Sequence, residues 1–344
     1  MKKLFALVLC LMLALPLVSL AQEDKVLNLF TWEGYIDDGI IAAFEAETGI
    51  DVVYSPAGTN DEMLLKLSQT DGKGYDLVLA SDYILSIMQK EGLIQKLDMA
   101  KLPNYGNLDE LFLGNYFDPQ NEYVIPYMAG TPLIVYDPEA VDFEITGYED
   151  LWNESLKDSI AIIDDARNIV GITLKTMGKS FNETDPAVLE EAKQKLMPLV
   201  DNIRSFDYNT PYTAMVNGET SVGYMFTPFA YLTLMDRPDF QIVYPKEGLG
   251  FGIDGLVLSA ASEHVDNAHL FLDYLMRPEV AAHNAAAQMY LNVNKAAEPL
   301  LDEGYKNSPV VLIPEELRGN MEFIMDIGET ETVMQEIYTA FKLQ

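Results

Sequence analysis

Three strand-like apolar runs, each followed by a segment with helical apolar spacing, occupy the stretch from Val26 to Gly92. The run Val26-Leu27-Asn28-Leu29-Phe30-Thr31-Trp32 leads into Ile40, Ile41 and Phe44 at helical spacing, with Asp37 or Asp38 as N-cap and Gly49 as the stop. The strand Ile50–Val53 precedes a helix capped by Asn60 and carrying Met63, Leu64 and Leu67. The strand Tyr75–Ala80 precedes a helix from Tyr83 to Lys90 that stops at Gly92. Apolar runs of this kind are buried on both faces, and strands joined through helices pair in parallel, so the pattern predicts an α/β fold.

The alternation resumes near residue 132. Pro132–Tyr136, Ile160–Ile163, Ser221–Phe226, Gln241–Tyr244 and Leu256–Ser259 read as strands. Tyr148–Leu156 reads as a short helix around Trp152, and Asp165–Gly178, Asp185–Val200 and His264–Met276 as longer ones, with a mostly helical C-terminal third. No repeat, low-complexity tract or long Gly/Ser linker divides the two sets. Two lobes crossed more than once by the chain fit this better than two separate beads. Ligands of such folds sit at the carboxyl ends of strands and between lobes.

The N-terminus reads as an export signal. Lys2 and Lys3 precede an apolar run from Leu4 to Leu20 that ends in Ser19-Leu20-Ala21, so residues 1–21 are expected to be cleaved. Pro16 and the acidic residues that follow argue against a membrane anchor, and Cys10 lacks the small preceding residues of a lipidation site. Cys10 is the single cysteine, so the mature chain has neither disulfides nor thiolate chemistry. The expected location is a bacterial periplasm.

Fifty-four Asp and Glu stand against 22 Lys and Arg, a formal net charge of -32. Nucleic acid is excluded as a partner, because binding it takes a basic footprint that displaces counterions. The same field draws cations in. At 49% hydrophobic the chain is too apolar to be a disordered acidic tail.

Enzyme and cofactor motifs fail on inspection. Gly250-Phe251-Gly252-Ile253-Asp254-Gly255 matches a dinucleotide fingerprint, yet a strand follows it where a helix must. Gly178-Lys179-Ser180 resembles the end of a phosphate-binding loop, but Thr173 stands where the first Gly is needed. His264, His269 and His283 lack metal-ligand spacing and read as packing or surface residues. Asp165 after a strand is a candidate helix cap, and paired with another carboxylate it is the one route to an exported hydrolase. No cofactor or metal is expected.

What remains is a set of acidic and aromatic residues at strand ends: Trp32 with Tyr35, Ser81-Asp82-Tyr83, Asp165, Phe226 and Asp254. A flexible di- or polyamine has ammonium ends that want carboxylates and methylenes that want aromatic faces. Charge-assisted hydrogen bonds contribute roughly 1.5–3 kcal/mol each and cation–π contacts about 0.5–2 kcal/mol.

Several segments carry a family resemblance: Thr31-Trp32-Glu33-Gly34-Tyr35, Phe44-Glu45-Ala46-Glu47-Thr48-Gly49-Ile50, Tyr75-Asp76-Leu77-Val78, Lys90-Glu91-Gly92-Leu93-Ile94-Gln95-Lys96, Asp164-Asp165-Ala166-Arg167, Tyr244-Pro245-Lys246-Glu247-Gly248 and Met276-Arg277-Pro278-Glu279-Val280-Ala281. Over nearly the whole mature chain it resembles the periplasmic spermidine/putrescine-binding proteins of polyamine ABC transporters. The resemblance implies a two-lobed type II periplasmic binding protein fold, each lobe a central mixed β-sheet flanked by helices, with the ligand cleft between them. Lobe 1 is then expected over 22–131 and 253–299, lobe 2 over 136–247 and 300–344, and hinge crossings at 132–135 and 248–252.

By the same resemblance Trp32 and Tyr35 form an aromatic pair facing the ligand, and Ser81 and Tyr83 stand near an amine end. Asp165 is an acidic ligand of the second lobe, Asp254 the central acidic anchor, and Tyr290 a further contact. Asn168 stands where spermidine binders have Glu, Phe226 and Gly252 replace tryptophans, and Ile324 replaces a glutamine; Asp82, beside Ser81, offers a compensating carboxylate. Putrescine and spermidine both remain open, with a slight lean to the shorter diamine. The implied partners are the polyamine and a membrane permease, and the protein is expected to be a monomer. The rivals are another organic cation in the same fold, a sensor, or the hydrolase.

Overall fold

The computed structural model describes residues 24–314, 317 and 319–344, so the expected export signal, residues 1–21 with Cys10, lies outside it. The chain begins β1 (Val26–Trp32), α1 (Asp38–Thr48), β2 (Asp51–Ala57), α2 (Asn60–Thr70), β3 (Leu77–Ser81), α3 (Asp82–Lys90), β4 (Ile94–Gln95) and, after three short 3-10 turns, β5 (Val124–Gly130). A second group follows: β6 (Pro132–Tyr136), β7 (Ile160–Ile162), α4 (Ala166–Thr176), α5 (Pro186–Leu196), β8 (Ile203–Phe206), α6 (Tyr212–Val216), β9 (Val222–Phe226), α7 (Thr227–Asp236) and β10 (Gln241–Val243). The chain closes with β11 (Leu249–Ser259), α8 (Val265–Leu275), α9 (Pro278–Gln288), β12 (Leu291–Asn292), α10 (Glu303–Lys306), β13 (Met321–Phe323) and α11 (Thr330–Lys342).

These strands form two sheets. The first runs β12-β5-β11-β3-β1-β2, with β4 and β13 also paired to β11, and the second runs β10-β6-β9-β7-β8. β1 lies parallel to β2 and β3, as helix-joined strands should, but β11 is antiparallel to both β3 and β5. In the second sheet β7 is parallel to β8 and β9, while β6 is antiparallel to β9 and β10. Both sheets are therefore mixed. Their apolar strands are buried between helices, as in β3, where Leu77, Val78, Leu79 and Ala80 are fully covered.

Several local expectations change. β5 carries Pro126, which cannot donate to a ladder. The strand tolerates it through a bulge: Asp254 pairs with Met128 and Gly255 with Pro126, leaving Tyr127 as the extra residue. The stretch around Trp152 is two 3-10 turns, Tyr148–Trp152 and Glu154–Leu156, divided at Asn153, whose side chain accepts from Ser155 N at 3.0 Å. Gly250–Gly255 lies inside β11, which starts at Leu249 and not at Leu256; glycines hide its alternation. The cap of α2 is Thr59, accepting from Glu62 N, which frees Asn60 for another task.

The chain leaves the first sheet after Gly130 and enters the second at Pro132, with buried Thr131 between. Thr131 Oγ1 donates to Gly250 O at 2.6 Å, its amide donates to Thr227 Oγ1, and Thr227 Oγ1 donates back to Thr131 O. Two passages between sheets are thus tied to each other. Helix α11 is bolted to the second sheet's side, where Asp164 accepts from Lys342 Nζ at 2.7 and 2.6 Å and from the Tyr338 hydroxyl at 2.8 Å.

Candidate functional site

On the first sheet's side, the end of β1 presents Trp32 and the loop after it Tyr35, packed edge to face with ring centroids 5.2 Å apart. The backbone there is held by phenols: Tyr54 donates to Trp32 O and Tyr127 to Tyr35 O. Tyr290, just before β12, meets the Tyr35 ring edge-on at 5.8 Å, and its own carbonyl accepts from Tyr305. Gly130 makes room for it, since a Cβ there would come within 2.9 Å of the Tyr290 ring.

These rings surround Asp254. Its Oδ2 accepts from the Tyr35 hydroxyl at 2.6 Å and its Oδ1 from Ser81 Oγ at 2.7 Å. Ser81 is fixed in turn by Asn60, which donates to its hydroxyl and accepts from its amide. Asp254 does not follow a strand, as its neighbours in sequence suggested. It sits in the middle of β11, and because β11 is antiparallel to β3 it comes level with Ser81 at the carboxyl end of β3.

Asp82 opens α3 at 2% exposure, with Oδ1 accepting from Tyr83 N at 2.7 Å and Oδ2 from Ile253 N at 3.3 Å. Burial, reinforced by the nearby Asp254 charge, pushes the Asp82 carboxyl well above the usual range against those two amides. Burial also raises Asp254, with the Tyr35 and Ser81 hydroxyls pulling the other way. Among the described residues no ammonium or guanidinium stands opposite either carboxylate. Tyr83, largely enclosed beside them, is raised by burial as well.

The second sheet's side supplies the opposite wall. Asp165 caps α4, its Oδ1 accepting from Asn168 N at 2.8 Å and Asn168 Nδ2 at 3.0 Å. That contact orients the Asn168 amide and leaves its Oδ1 without a partner at 5% residue exposure. Phe226 ends β9 and meets Tyr208 edge to face at 5.9 Å. Arg167 lines the same cavity beside Asp165, its guanidinium donating to Asn182 Oδ1 and Met325 O, with Nε 3.4 Å from Glu331 Oε1 in a poorly aligned ion pair.

All ten residues singled out from the sequence, Trp32, Tyr35, Ser81, Asp82, Tyr83, Asp165, Asn168, Phe226, Asp254 and Tyr290, line one cavity of about 1100 Å³. Gly252 and Ile324 line it too. Sequence reasoning missed Asn60, Asp61, Tyr208 and Glu331 on the same walls. Asn60 was given to the helix cap, and Tyr208 lies in an irregular loop where no periodicity marks it.

Elsewhere two histidines serve packing, His264 Nδ1 meeting Asp76 and His269 Nε2 accepting from Asp98 N, while His283 lies exposed by Asp37. Among the described residues no group of three His, Cys, Asp or Glu could hold a metal ion, and no helix is long and apolar enough to cross a membrane.

Residues 39–311 match the family of bacterial extracellular solute-binding proteins. The chain belongs to that family. Its members are solute-binding proteins, and this chain is 34% identical to the spermidine/putrescine-binding periplasmic protein of Escherichia coli K12 over 94% of its own length and 93% of that protein's. It is 30% identical to the putrescine-binding periplasmic protein PotF of the same organism, over 90% and 89% of the two chains. Among solved structures, the spermidine/putrescine ABC transporter substrate-binding protein PotD of Streptococcus pneumoniae superposes with a TM-score of 0.83 at 31% identity, covering 92% of this chain and 98% of that one. The two mixed sheets are those of the two-lobed periplasmic binding protein fold.

Proposed function

We propose that this protein captures a polyamine, putrescine or spermidine, between its two sheets and delivers it to the membrane permease of an ABC importer. The observation that carries this reading is Asp254: a carboxylate held by two hydroxyls, beside a second buried carboxyl, ringed by Trp32, Tyr35 and Tyr290, with no Lys or Arg among the described residues acting on it, the cavity's guanidinium, Arg167, standing by Asp165 and Glu331 instead. A buried charge left unpaired is costly, and an ammonium removes that cost. Asp165 serves a second ammonium from the other wall, Phe226 packs on methylenes, and the Asn168 carbonyl oxygen accepts one further hydrogen bond. Ser81 and Tyr83 flank the first ammonium. Asp82, raised by burial, gains from the same ammonium, which favours its ionised form.

A ligand touching Asp254 and Asp165 together binds the closed arrangement better than the open one and so selects it. We divide the lobes as 22–131 with 253–299 and 136–247 with 300–344, pivoting at 132–135 and 248–252. The order of the sheets supports two crossings: β5 ends at Gly130 in the first sheet and β6 begins at Pro132 in the second, and the chain returns between Val243 and Leu249. Residues 1–21 direct export to the periplasm, where the protein acts as a monomer and performs no chemistry on its ligand.

Thermal unfolding tests the reading. Putrescine or spermidine raises Tm in proportion to the logarithm of its concentration, whereas 1,4-butanediol, the same four-carbon chain without charges, does not. Equal shifts from the diol, or none from any amine, overturn the reading.

A further inference from the structure

Tyr208 is an aromatic side chain that neither the strand-end pattern nor the family resemblance marks. Its residue surface is 54% exposed, and its ring lines the cavity. Its pedestal is rigid. Asp207 N donates to Ile162 O at the end of β7, and the Asp207 carboxylate accepts from Asn209 N, Thr210 N and Thr210 Oγ1 at 2.9 to 3.0 Å. The turn aims the ring into the cavity, where its one aromatic neighbour is Phe226 at 5.9 Å.

The electrostatics place the phenol between the two walls. Burial, then Asp165, then Asp254 push it up to about 12, so both carboxylates act on it, and it acts in turn on Tyr83 and Tyr290. Open space remains on the facing wall at Gly252, where a Cβ would meet nothing within 4 Å. A loop from the second sheet thus carries a ring to where a chain spanning Asp165 and Asp254 must pass.

Resting on the polyamine reading, we infer that Tyr208 is a specificity-determining contact: its ring covers the methylenes between the two ammonium groups. Methylenes and the flanking charges both favour an aromatic face, and a ligand there would cover the exposed part of the ring. The contribution of the hydroxyl is secondary.

The test compares wild type with Tyr208→Ala, Tyr208→Leu and Tyr208→Phe, titrating each with putrescine and with spermidine. Tyr208→Ala is expected to bind about 10- to 50-fold more weakly, Tyr208→Leu to fall between it and wild type, and Tyr208→Phe to stay within about 3-fold. Should Tyr208→Ala fail to fold, Tyr208→Leu carries the comparison. Wild-type affinity in both Ala and Leu variants overturns the inference, and so does a loss in Tyr208→Phe as large as in Tyr208→Ala, which would assign the effect to the hydroxyl. If wild type itself binds neither amine, the polyamine reading fails, an outcome distinct from failure of the Tyr208 contact alone.

Discussion

The Tyr35 phenol donates to Asp254 Oδ2 at 2.6 Å across 219 residues of sequence, joining the loop after β1 to the middle of β11. The bond ties a ring that faces the cavity to the carboxylate behind it. It also holds Asp254 in a place where burial disfavours its charge, a cost that a cationic partner would offset.

Replacing Asp254 by Asn therefore separates binding from stability. Asp254→Asn is expected to lose about 1.5–3 kcal/mol of amine binding, roughly a 10- to 150-fold weaker Kd. The empty variant should unfold at or above the wild-type Tm, since it no longer buries a charge without a partner. Unchanged affinity, or a strongly lowered Tm, would place Asp254 in the scaffold and outside the site.

Binding should depend on pH with a definite sign. The carboxyls of Asp82 and Asp254 are raised in the empty protein, Asp82 by burial and then Asp254's charge, Asp254 by burial. An ammonium favours their ionised forms, so affinity is full above the raised values and is lost as pH falls through them. Titrations at a series of pH values upward from the ordinary carboxylate range, in buffers of different ionisation heat, should also show proton release on binding. The empty fold has the same two groups working in the opposite direction: they add stability as pH falls. Constant affinity with no proton release contradicts this.

Asp76 provides the contrasting case. At 1% exposure it accepts from Asn28 N, Asn28 Nδ2, Ser262 Oγ, His264 N and His264 Nδ1, pinning β1, β3 and the entry to α8. Burial pushes its carboxyl up, but these hydrogen bonds outweigh burial and hold it below the usual range. Its contribution is full above the ordinary carboxylate range and disappears as pH falls through the depressed folded value. Asp76→Ala should cost about 3 kcal/mol in urea unfolding, with that difference shrinking in acid. An equal difference at every pH would rule the ionised form out as the source.

Two glycines on the cavity wall should behave differently. Gly130→Ala pushes a Cβ to 2.9 Å from the Tyr290 ring, so it should cost about 1–3 kcal/mol or displace the ring and weaken binding. Gly252→Ala meets nothing within 4 Å and should leave stability within about 0.5 kcal/mol. Calorimetric unfolding and amine titration of both variants check the pair; identical behaviour contradicts the packing described around Tyr290.

Much of the fold was legible because its signals are local. Apolar runs and caps such as Asp165 and Gly49 depend on neighbours within a turn or two, and their elements appear where their spacing predicted. β5 was illegible because Pro126 reads as a strand breaker, and only the opposing bulge in the β11 pairing makes it tolerable. Asp254 was legible as a carboxylate beside a strand, but its level with Ser81 follows from antiparallel pairing between segments 173 residues apart. Tyr208 left no mark because nothing in an irregular loop's sequence reports which cavity it faces.

The most direct measurement is calorimetric titration of the mature protein, stripped of carried-over ligand, with putrescine, cadaverine, spermidine and spermine at about 0.15 M salt, where exposed charges are largely screened. The account predicts saturable one-to-one binding of at least one amine that survives this salt. Weak, multi-site heats for all four, fading as salt rises, would mean that the acidic surface alone attracts them and that the cavity around Asp254 serves another ligand.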